Sequence, residues 1–172
     1  MRTLPFILFL ALSLAACGGS DSSSETTASE SEGETDTEQA ASSEEVDQTV
    51  TLQPQGNQMK YKQTEFTVAP GETVRLVFEN VASSPSMVHN VVIINSTEDD
   101  VFERVGEAGS KAGSSNDYIP EDDAVFENTP VAQPGETVEV TFTAPEETGD
   151  YGYVCTYPGH WATMQGTMKV RS

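Results

Sequence analysis

The sequence predicts an all-β protein, built as an antiparallel β-sandwich, for residues 46–172. Short strand signals bounded by turn residues recur at 48–52, 65–68, 73–79, 90–94, 137–143, 149–155 and 166–171. Val138, Val140 and Phe142 take alternate positions, as a half-buried strand requires. A Pro-Gly pair at 70–71 and another at 134–135 each precede a strand and suit a type II turn. Many short strands with little helical periodicity indicate a sandwich.

Residues 1–16 are predicted to be a signal peptide outside the fold. Arg2 supplies a positive start and residues 4–14 are largely apolar, but this stretch is too short for a spanning helix. The segment Leu14-Ala15-Ala16-Cys17 resembles the bacterial lipobox, in which cleavage leaves an acylated cysteine. We therefore expect Cys17 to be lipidated. The alternative is an ordinary signal peptide cut near Ala16, with an unpaired Cys17.

Residues 17–45 are expected to form a disordered acidic tether after the lipidated cysteine. From 18 to 45 the chain holds nine acidic and no basic residues, with no aromatic side chain and no aliphatic one larger than alanine. Such a segment buries too little apolar area to offset its ordering entropy, and its like charges favour extension. The tether would let the domain sample the space above a membrane.

The net charge argues against nucleic acid as a partner. It is −20 for the whole chain, and residues 46–172 carry nineteen acidic against seven basic residues, which is −12. This surface disfavours nucleic acid and anionic lipid, and it suits basic or neutral redox partners. Solubility, or adaptation to high salt, explains the same charge and stays open.

Residues 96–120 interrupt the series of predicted strands. A weakly helical span at 99–108 begins with acidic residues, and Ser96 or Thr97 is placed to cap it. We expect a short helical flap outside the sandwich, followed by a mobile piece at 109–115.

Four side chains carry the chemistry of the chain: His89, Cys155, His160 and Met164. Singly, each has an ordinary interpretation as a buried small hydrophobe, a turn or strand-end histidine, or core filler. Together they are the ligand set of a blue-copper site, in which a weak thioether completes a His-His-Cys plane. Zinc is the alternative metal, although it rarely takes methionine. If Cys17 is lipidated, Cys155 is a lone thiol, and metal binding explains it.

The residues around these ligands resemble a known family. Met87-Val88-His89-Asn90, together with the loop from Cys155 to Met164, is similar to the cupredoxin family in its azurin and auracyanin branch. The resemblance implies a Greek-key sandwich of eight strands with one copper near one end. It also implies equatorial ligands at His89, Cys155 and His160, an axial ligand at Met164, and a role for Asn90 in tying the ligand loops together near the thiolate.

Two departures from azurins stand out. Azurins carry glycine before the first histidine, where a carbonyl approaches copper, and this chain has Val88. Valine does not readily adopt backbone regions reserved for glycine, so four ligands are expected rather than five. Azurins also have an N-terminal disulfide, for which residues 46–172 offer a single cysteine, Cys155.

The resemblance also implies an apolar docking patch around His160, through which electrons pass. The corresponding residues here are Met59, Met87, Tyr157, Pro158, Trp161 and Ala162. Trp161, the single tryptophan, follows a ligand directly. It either packs in the core or covers the site, and if exposed it enlarges an interaction patch.

The sequence thus predicts a membrane-tethered, single-copper electron carrier at the periplasmic or outer face of a bacterial membrane. Its expected partners are redox proteins such as cytochromes or respiratory and photosynthetic complexes. Copper storage or delivery without redox cycling is the alternative, with Met59, Met87 and Met168 as added soft ligands. An enzyme is not expected, because a catalytic copper centre needs more imidazoles and the chain has two histidines.

Overall fold

Two β-sheets make up residues 45–172, the part of the chain that the computed structural model describes. Strands β1 (Gln48–Leu52), β3 (Thr73–Glu79) and β6 (Thr137–Thr143) form one sheet in the order β1-β3-β6. Strands β2 (Glu65–Val68), β4 (Val92–Ile94), β5 (Val125–Asn128), β7 (Gly149–Val154) and β8 (Gln165–Val170) form the other in the order β2-β8-β7-β4-β5. The predicted β-sandwich is confirmed. The signal peptide at 1–16, Cys17 and the tether up to residue 44 lie outside the described residues.

The sheets are mixed, whereas the sequence predicted an antiparallel sandwich, so the pairing differs from the prediction at two places. Strand β1 pairs with β3 in parallel, and β2 pairs with β8 in parallel. The remaining strand pairs are antiparallel. The chain moves from one sheet to the other at β2 and returns at β3, so β1 and β3 enter their sheet from the same end.

The two predicted Pro-Gly turns are present. Gly71 and Gly135 have φ values of 71° and 84°, the left-handed region that a type II turn needs at its third residue. In the second turn the amide of Glu136 donates to the carbonyl of Gln133 at 2.9 Å. Each turn leads directly into a strand of seven residues, β3 or β6.

The main core lies between the sheets. In β3, the side chains of Val74, Leu76 and Phe78 are fully buried and alternate with more exposed residues. In β6, Phe142 is buried, and Val138 and Val140 pack against the same core. Burying one such side chain contributes ~1.5–3 kcal/mol, so this layer fixes the two sheets against each other.

A second, smaller core lies under helix α1 (Asp99–Ala112). Phe102 and Val105 of the helix are buried against Val92 and Ile94 of β4 and Val154 of β7. The expected flap is therefore docked on the five-stranded sheet. Strand β4 is buried on both faces, which explains its continuous apolar run.

The ends of α1 also differ from the prediction. Its N-cap is Glu98, which makes no side-chain capping bond, whereas the Ser96 hydroxyl accepts a hydrogen bond from the Glu98 amide at 3.1 Å. The helix continues past 108 to Ala112, and a single 3-10 turn follows at Ser114–Asn116. Much of the segment expected to be mobile is therefore helical. Among the described residues, no helix combines the length and apolar character that crossing a membrane requires.

Candidate metal centre

Three donor atoms face one another at one end of the sandwich. The Nδ1 atoms of His89 and His160 are 3.1 Å apart, and Sγ of Cys155 lies 3.8 Å and 3.7 Å from them. The exposed fractions of the three residues are 0%, 4% and 0% in the order His89, His160 and Cys155. Within residues 45–172 they form a cluster able to hold a metal ion.

The spacing of these atoms fits a transition metal. In the plane of the three donor atoms, the point equidistant from them lies roughly 2.1 Å from each. Bonds from a metal to histidine nitrogen and to thiolate sulfur are ~2.0–2.3 Å long. In the described residues Nε2 of His89 is buried without a hydrogen-bond partner, so this ring directs its polar contacts to the centre through Nδ1. Thiolate favours Cu(I), and imidazole accepts copper in both charge states.

Met164 completes the set of candidate ligands. It is fully buried and belongs to the same core cluster as Cys155. The amide of Cys155 donates to the carbonyl of Met164 at 3.0 Å, which closes the base of the loop between β7 and β8. Cys155 directly follows the last residue of β7, so the sheet fixes the start of this loop.

Local turns shape the rest of the loop. Gly159 has φ of 80°, and the amide of His160 donates to the carbonyl of Tyr157 at 3.0 Å. The amide of Met164 donates in turn to the carbonyl of His160 at 2.9 Å. The Pro-Gly turn therefore folds the chain back and brings His160 to Cys155.

His89 is held by a backbone bridge to Ala132, in the segment between β5 and β6. Its amide donates to the carbonyl of Ala132 at 3.2 Å, and the Ala132 amide donates back at 2.8 Å. The buried amide of Asn80 donates to the carbonyls of Met87 and Ala132 at 2.8 Å and 2.9 Å. These bonds fix the backbone of His89 and of the segment just before it.

Asn90 joins the segment that carries His89 to the segment that carries Cys155. Its Oδ1 accepts from the Thr156 amide at 2.9 Å, and its Nδ2 donates to Thr156 Oγ1 at 2.9 Å. The same Nδ2 donates to the carbonyl of Asp117 at 3.0 Å, and Thr156 Oγ1 donates to the carbonyl of Tyr118 at 2.6 Å. Three separated segments thus meet at one fully buried side chain.

Burial sets the protonation of the metal-free centre. It lowers the pKa of His89 to about 4, with the nearby His160 adding to the shift, and it lowers the pKa of His160. Burial also raises the pKa of Cys155 to about 12, against the backbone amides of Asn90 and Tyr157, which lower it. Both imidazoles are therefore neutral at pH 7, with lone pairs free for a metal, and the thiol must lose its proton when a metal binds.

Val88 is buried, with 7% of its surface exposed. In the described residues, the left-handed backbone region is occupied by glycines and by Asp117 and Tyr118, and not by Val88. The backbone of Val88 is thus unlike the glycine-only conformations, and four-coordination of the metal stays a prediction.

The residues expected around His160 differ in exposure. Met59 is 40% exposed, and Pro158 and Ala162 are also exposed. Met87, Tyr157 and Trp161 are half-buried. Trp161 packs against the core beneath α1, where a Cβ added to Gly106 would lie 2.2 Å from its Cγ.

Sequence reasoning missed several residues that hold the centre. Thr156 and Asn80 make the buried hydrogen bonds described above, and Tyr61 donates from its hydroxyl to the carbonyl of Asn90 at 2.6 Å. A polar residue directly after Cys155 was a usable signal for Thr156. No sequence pattern marks Tyr61 or Asn80, because Tyr61 bonds to Asn90 29 residues away and Asn80 bonds to Ala132 52 residues away.

Two facing sheets with a buried His-Cys-His cluster at one end, and buried Met164 beside Cys155, define a cupredoxin with a typical type 1 copper site. Residues 48–171 match the family described as copper binding proteins, plastocyanin/azurin family, and the chain belongs to that family. Copper, expected from the donor set, is the metal of this family.

Similar proteins agree with this assignment. The chain is 37% identical over 171 residues to auracyanin-A of Chloroflexus aurantiacus, covering 99% of this chain and 96% of that protein. It is 36% identical over 103 residues to azurin of Alcaligenes faecalis, covering 58% of this chain and 78% of that protein. The solved structure of auracyanin A, described as a "blue" copper protein from a green thermophilic photosynthetic bacterium, shares 36% identity at a TM-score of 0.65 and covers 72% of this chain and 98% of that one.

Proposed function

We propose that the protein is a membrane-tethered blue copper protein that carries single electrons between redox partners outside the cytoplasm. The main support for the proposal is that Nδ1 of His89, Nδ1 of His160 and Sγ of Cys155 lie around a single buried point. Copper bound there supplies the redox chemistry by changing between Cu(I) and Cu(II). His89, Cys155 and His160 would hold the copper together with Met164.

The surroundings of the ligands suit electron transfer because they limit movement. His89 is fixed through Ala132, and Asn90 joins both ligand segments through Thr156. Ligands held in this way change position little when the charge at the centre changes. A small rearrangement favours fast electron exchange, and the interior around the ligands keeps water away.

We propose that electrons enter and leave through His160. His160 is the most exposed of the three residues in the cluster, at 4%. Pro158 and Ala162 of the same loop are exposed, and the loop is joined to Met59 by a bond from the Thr163 hydroxyl to the Met59 carbonyl at 2.8 Å. This apolar surface, completed by Met87 and Tyr157, is the proposed docking patch.

Trp161 has a different place in the proposal. Its ring lies between the ligand loop and α1, so it supports the loop and adds little exposed area. This placement favours the interpretation of Trp161 as a packed residue beside the site.

Redox proteins such as cytochromes, or respiratory and photosynthetic complexes, are the proposed partners. The net charge of −12 over residues 46–172 favours a basic surface on the partner. The photosynthetic source of the similar auracyanin A supports a photosynthetic complex as one candidate.

The proposed anchor is a lipid on Cys17, after cleavage of residues 1–16, with residues 18–45 as the tether. The lipobox-like Leu14-Ala15-Ala16-Cys17 and the absence of basic residues from 18 to 45 support it. The protein would then sit at the periplasmic or outer face of a bacterial membrane.

The protein is not proposed to be an enzyme, because both of its histidines belong to one centre. Copper storage gains no support from the described residues. Met168, suggested as an extra soft ligand, is fully buried in the main core beside β7, and Met59 is exposed at the surface.

Electrochemistry of the copper-loaded full chain tests the proposed function. We expect a single reversible one-electron wave, with copper retained through repeated cycles. Met164→Leu should shift the midpoint potential, because the axial ligand tunes it. Met168→Leu is the matched control, since it removes an equally buried thioether and should leave the potential unchanged. Release of copper on reduction would favour storage or delivery instead.

Detergent-phase partitioning of the protein expressed in a bacterium tests the anchor. The wild-type chain should enter the detergent phase, with a mass that includes acyl chains on Cys17. Cys17→Ser should stay in the aqueous phase. An unmodified Cys17 at the N-terminus would show an ordinary signal peptide.

A further inference from the structure

Tyr61 belongs to the same core cluster as Cys155 and Met164, and it lies on a segment that carries none of the candidate ligands. It is 2% exposed, and its hydroxyl donates to the carbonyl of Asn90 at 2.6 Å in a buried hydrogen bond. Asn90 directly follows His89. The hydroxyl therefore holds the backbone one residue away from a donor of the cluster.

The tyrosine has little freedom to leave this position. Its backbone bridges to Pro54, and its ring meets the rings of Phe78 and Tyr153 edge-on at 6.1 Å and 5.2 Å. Phe78 in turn meets the His89 ring edge-on at 6.4 Å. The phenol is thus packed between the core and the segment that carries His89.

The hydroxyl is suited to act as a constant donor. Burial, followed by the charge of Cys155 and then by Tyr153, raises the pKa of Tyr61 well above its usual value. The phenol therefore keeps its proton at physiological pH. A buried carbonyl that lost this donor would be left unpaired, which is unfavourable.

Tyr61 also complements the bonds made by the Asn90 side chain. That side chain faces Thr156 and Asp117, so it ties His89 to the loop of Cys155. The backbone carbonyl of the same residue is held from the core by Tyr61. Side chain and main chain of Asn90 are therefore fixed from two directions.

We propose that Tyr61 is a positioning residue of the metal centre, which sets the place of His89 relative to Cys155 by hydrogen-bonding the carbonyl of Asn90. The inference rests on the copper centre of the proposed function but not on its role as an electron carrier. Outer hydrogen bonds of this kind orient ligands and tune both metal affinity and potential.

Tyr61→Phe and Tyr153→Phe form a matched pair for the test. Each removes one phenol hydroxyl from the same aromatic cluster. The Tyr153 hydroxyl donates to the carbonyl of Gln63 at 2.7 Å, and Gln63 is not a sequence neighbour of any candidate ligand. The full chain is loaded with copper, and its affinity is measured by competition with a chelator, together with its visible and EPR spectra and midpoint potential.

We expect Tyr61→Phe to weaken copper binding by ~10-fold or more, as is usual when a hydrogen bond that orients a metal ligand is lost. Its spectra and potential should shift, whereas Tyr153→Phe should keep those of the wild type. Equal affinity and spectra in wild type and Tyr61→Phe, or equal changes in both variants, would overturn the assignment. A wild-type chain that binds copper without reversible electron exchange would contradict the proposed function. The effect of Tyr61→Phe on copper affinity and spectra could still be measured, so the role of Tyr61 would be tested independently.

A conservative variant covers the case in which Tyr61→Phe does not fold. Tyr61→p-aminophenylalanine keeps a weaker N–H donor at the same position. Its copper affinity should fall below that of wild type by less than ~10-fold, with a small shift of its EPR spectrum. A spectrum and affinity equal to wild type in spite of the weaker donor would count against the positioning role.

Discussion

Asn90 and Thr156 exchange two hydrogen bonds across the metal centre: the Thr156 amide donates to Asn90 Oδ1, and Asn90 Nδ2 donates to Thr156 Oγ1, each at 2.9 Å. The two residues are neighbours in sequence of His89 and Cys155 respectively. Through this pair, the segments that bear two of the donors act as one unit. Both residues are fully buried, so the bonds are protected from water.

Asn90→Ala should therefore destabilise the metal-free chain by roughly 2–4 kcal/mol, because more than one buried partner is left unpaired at ~1–3 kcal/mol each. Urea unfolding gives the measurement. Asn95→Ala is the control, since Asn95 is exposed and its contact to the Asp123 carbonyl is long at 3.4 Å. Its effect should stay within ~0.5 kcal/mol. Equal decreases in the free energy of unfolding in both variants would mean that the hydrogen bonds of Asn90 do not stabilise the fold more than an exposed contact does.

Gly106→Ala tests the contact between α1 and the ligand loop. A Cβ at this position would lie 2.2 Å from Cγ and 2.3 Å from Cβ of Trp161. Alanine normally improves a helix by ~1 kcal/mol over glycine, but overpacking costs ~1–3 kcal/mol. We expect a net loss of stability and an altered tryptophan fluorescence spectrum. In the double variant with Trp161→Ala, the alanine at 106 should no longer destabilise; a loss that persists there would place its cause elsewhere.

The metal-free chain should lose stability as the pH falls from about 6.5 to about 4. Burial lowers the pKa of His89 to about 4, and an unfolded histidine titrates at ~6.5. Within this window the unfolded chain binds a proton that the folded chain does not, so acid favours unfolding, and the stabilisation is fully present above ~6.5. After allowance for solvent screening, the loss is on the order of 1–3 kcal/mol.

His89→Gln provides the control for this pH effect, because glutamine does not titrate. Between ~pH 6.5 and ~5, the denaturation midpoint of the variant should fall less steeply than that of the wild type. Parallel curves for the two proteins would show that another group causes the pH dependence.

Ala162→Gln tests the proposed docking patch without changing the net charge. Ala162 is exposed two residues after His160. The side-chain amide of glutamine at this position would have to lose its water when a partner docks, which costs free energy. The second-order rate of electron transfer to a basic c-type cytochrome should fall by roughly tenfold, equivalent to ~1.4 kcal/mol. Thr141→Gln, exposed on β6, should leave the rate unchanged. If both variants react at the wild-type rate, partners dock elsewhere.

Local patterns predicted most of the strands and the turn that brings His160 to Cys155, whereas His89, 66 residues before Cys155, was assigned from the family resemblance. Alternation in β6 and the Pro-Gly turns are short-range signals, and the loop from Cys155 to Met164 is itself local. Strand β5 escaped prediction because it is short, partly polar, and stabilised by pairing with β4 at the edge of its sheet. The continuous run at 91–94 was an unused signal for the helix that covers it.

The contacts that hold the centre were harder to predict. The bond from Tyr61 to Asn90 spans 29 residues, and those between Asn90 and Thr156 span 66. Hydrogen bonds from side chains to distant backbone leave no periodic trace in a sequence. The docking of α1 was missed for a different reason. Gly106 and Gly109 lower the helix propensity of the segment, although they allow the helix to approach Trp161 and Thr156 closely.

The visible absorption spectrum of the copper-loaded full chain tests the central claim most directly. A thiolate bound to Cu(II) in a trigonal site should give an intense visible band. Cys155→Ser should abolish the band, whereas Cys17→Ser, which removes the other cysteine of the chain, should keep it unchanged. A wild-type protein that binds Cu(II) without this band, or a band that survives in Cys155→Ser, would contradict the assignment of a blue copper centre.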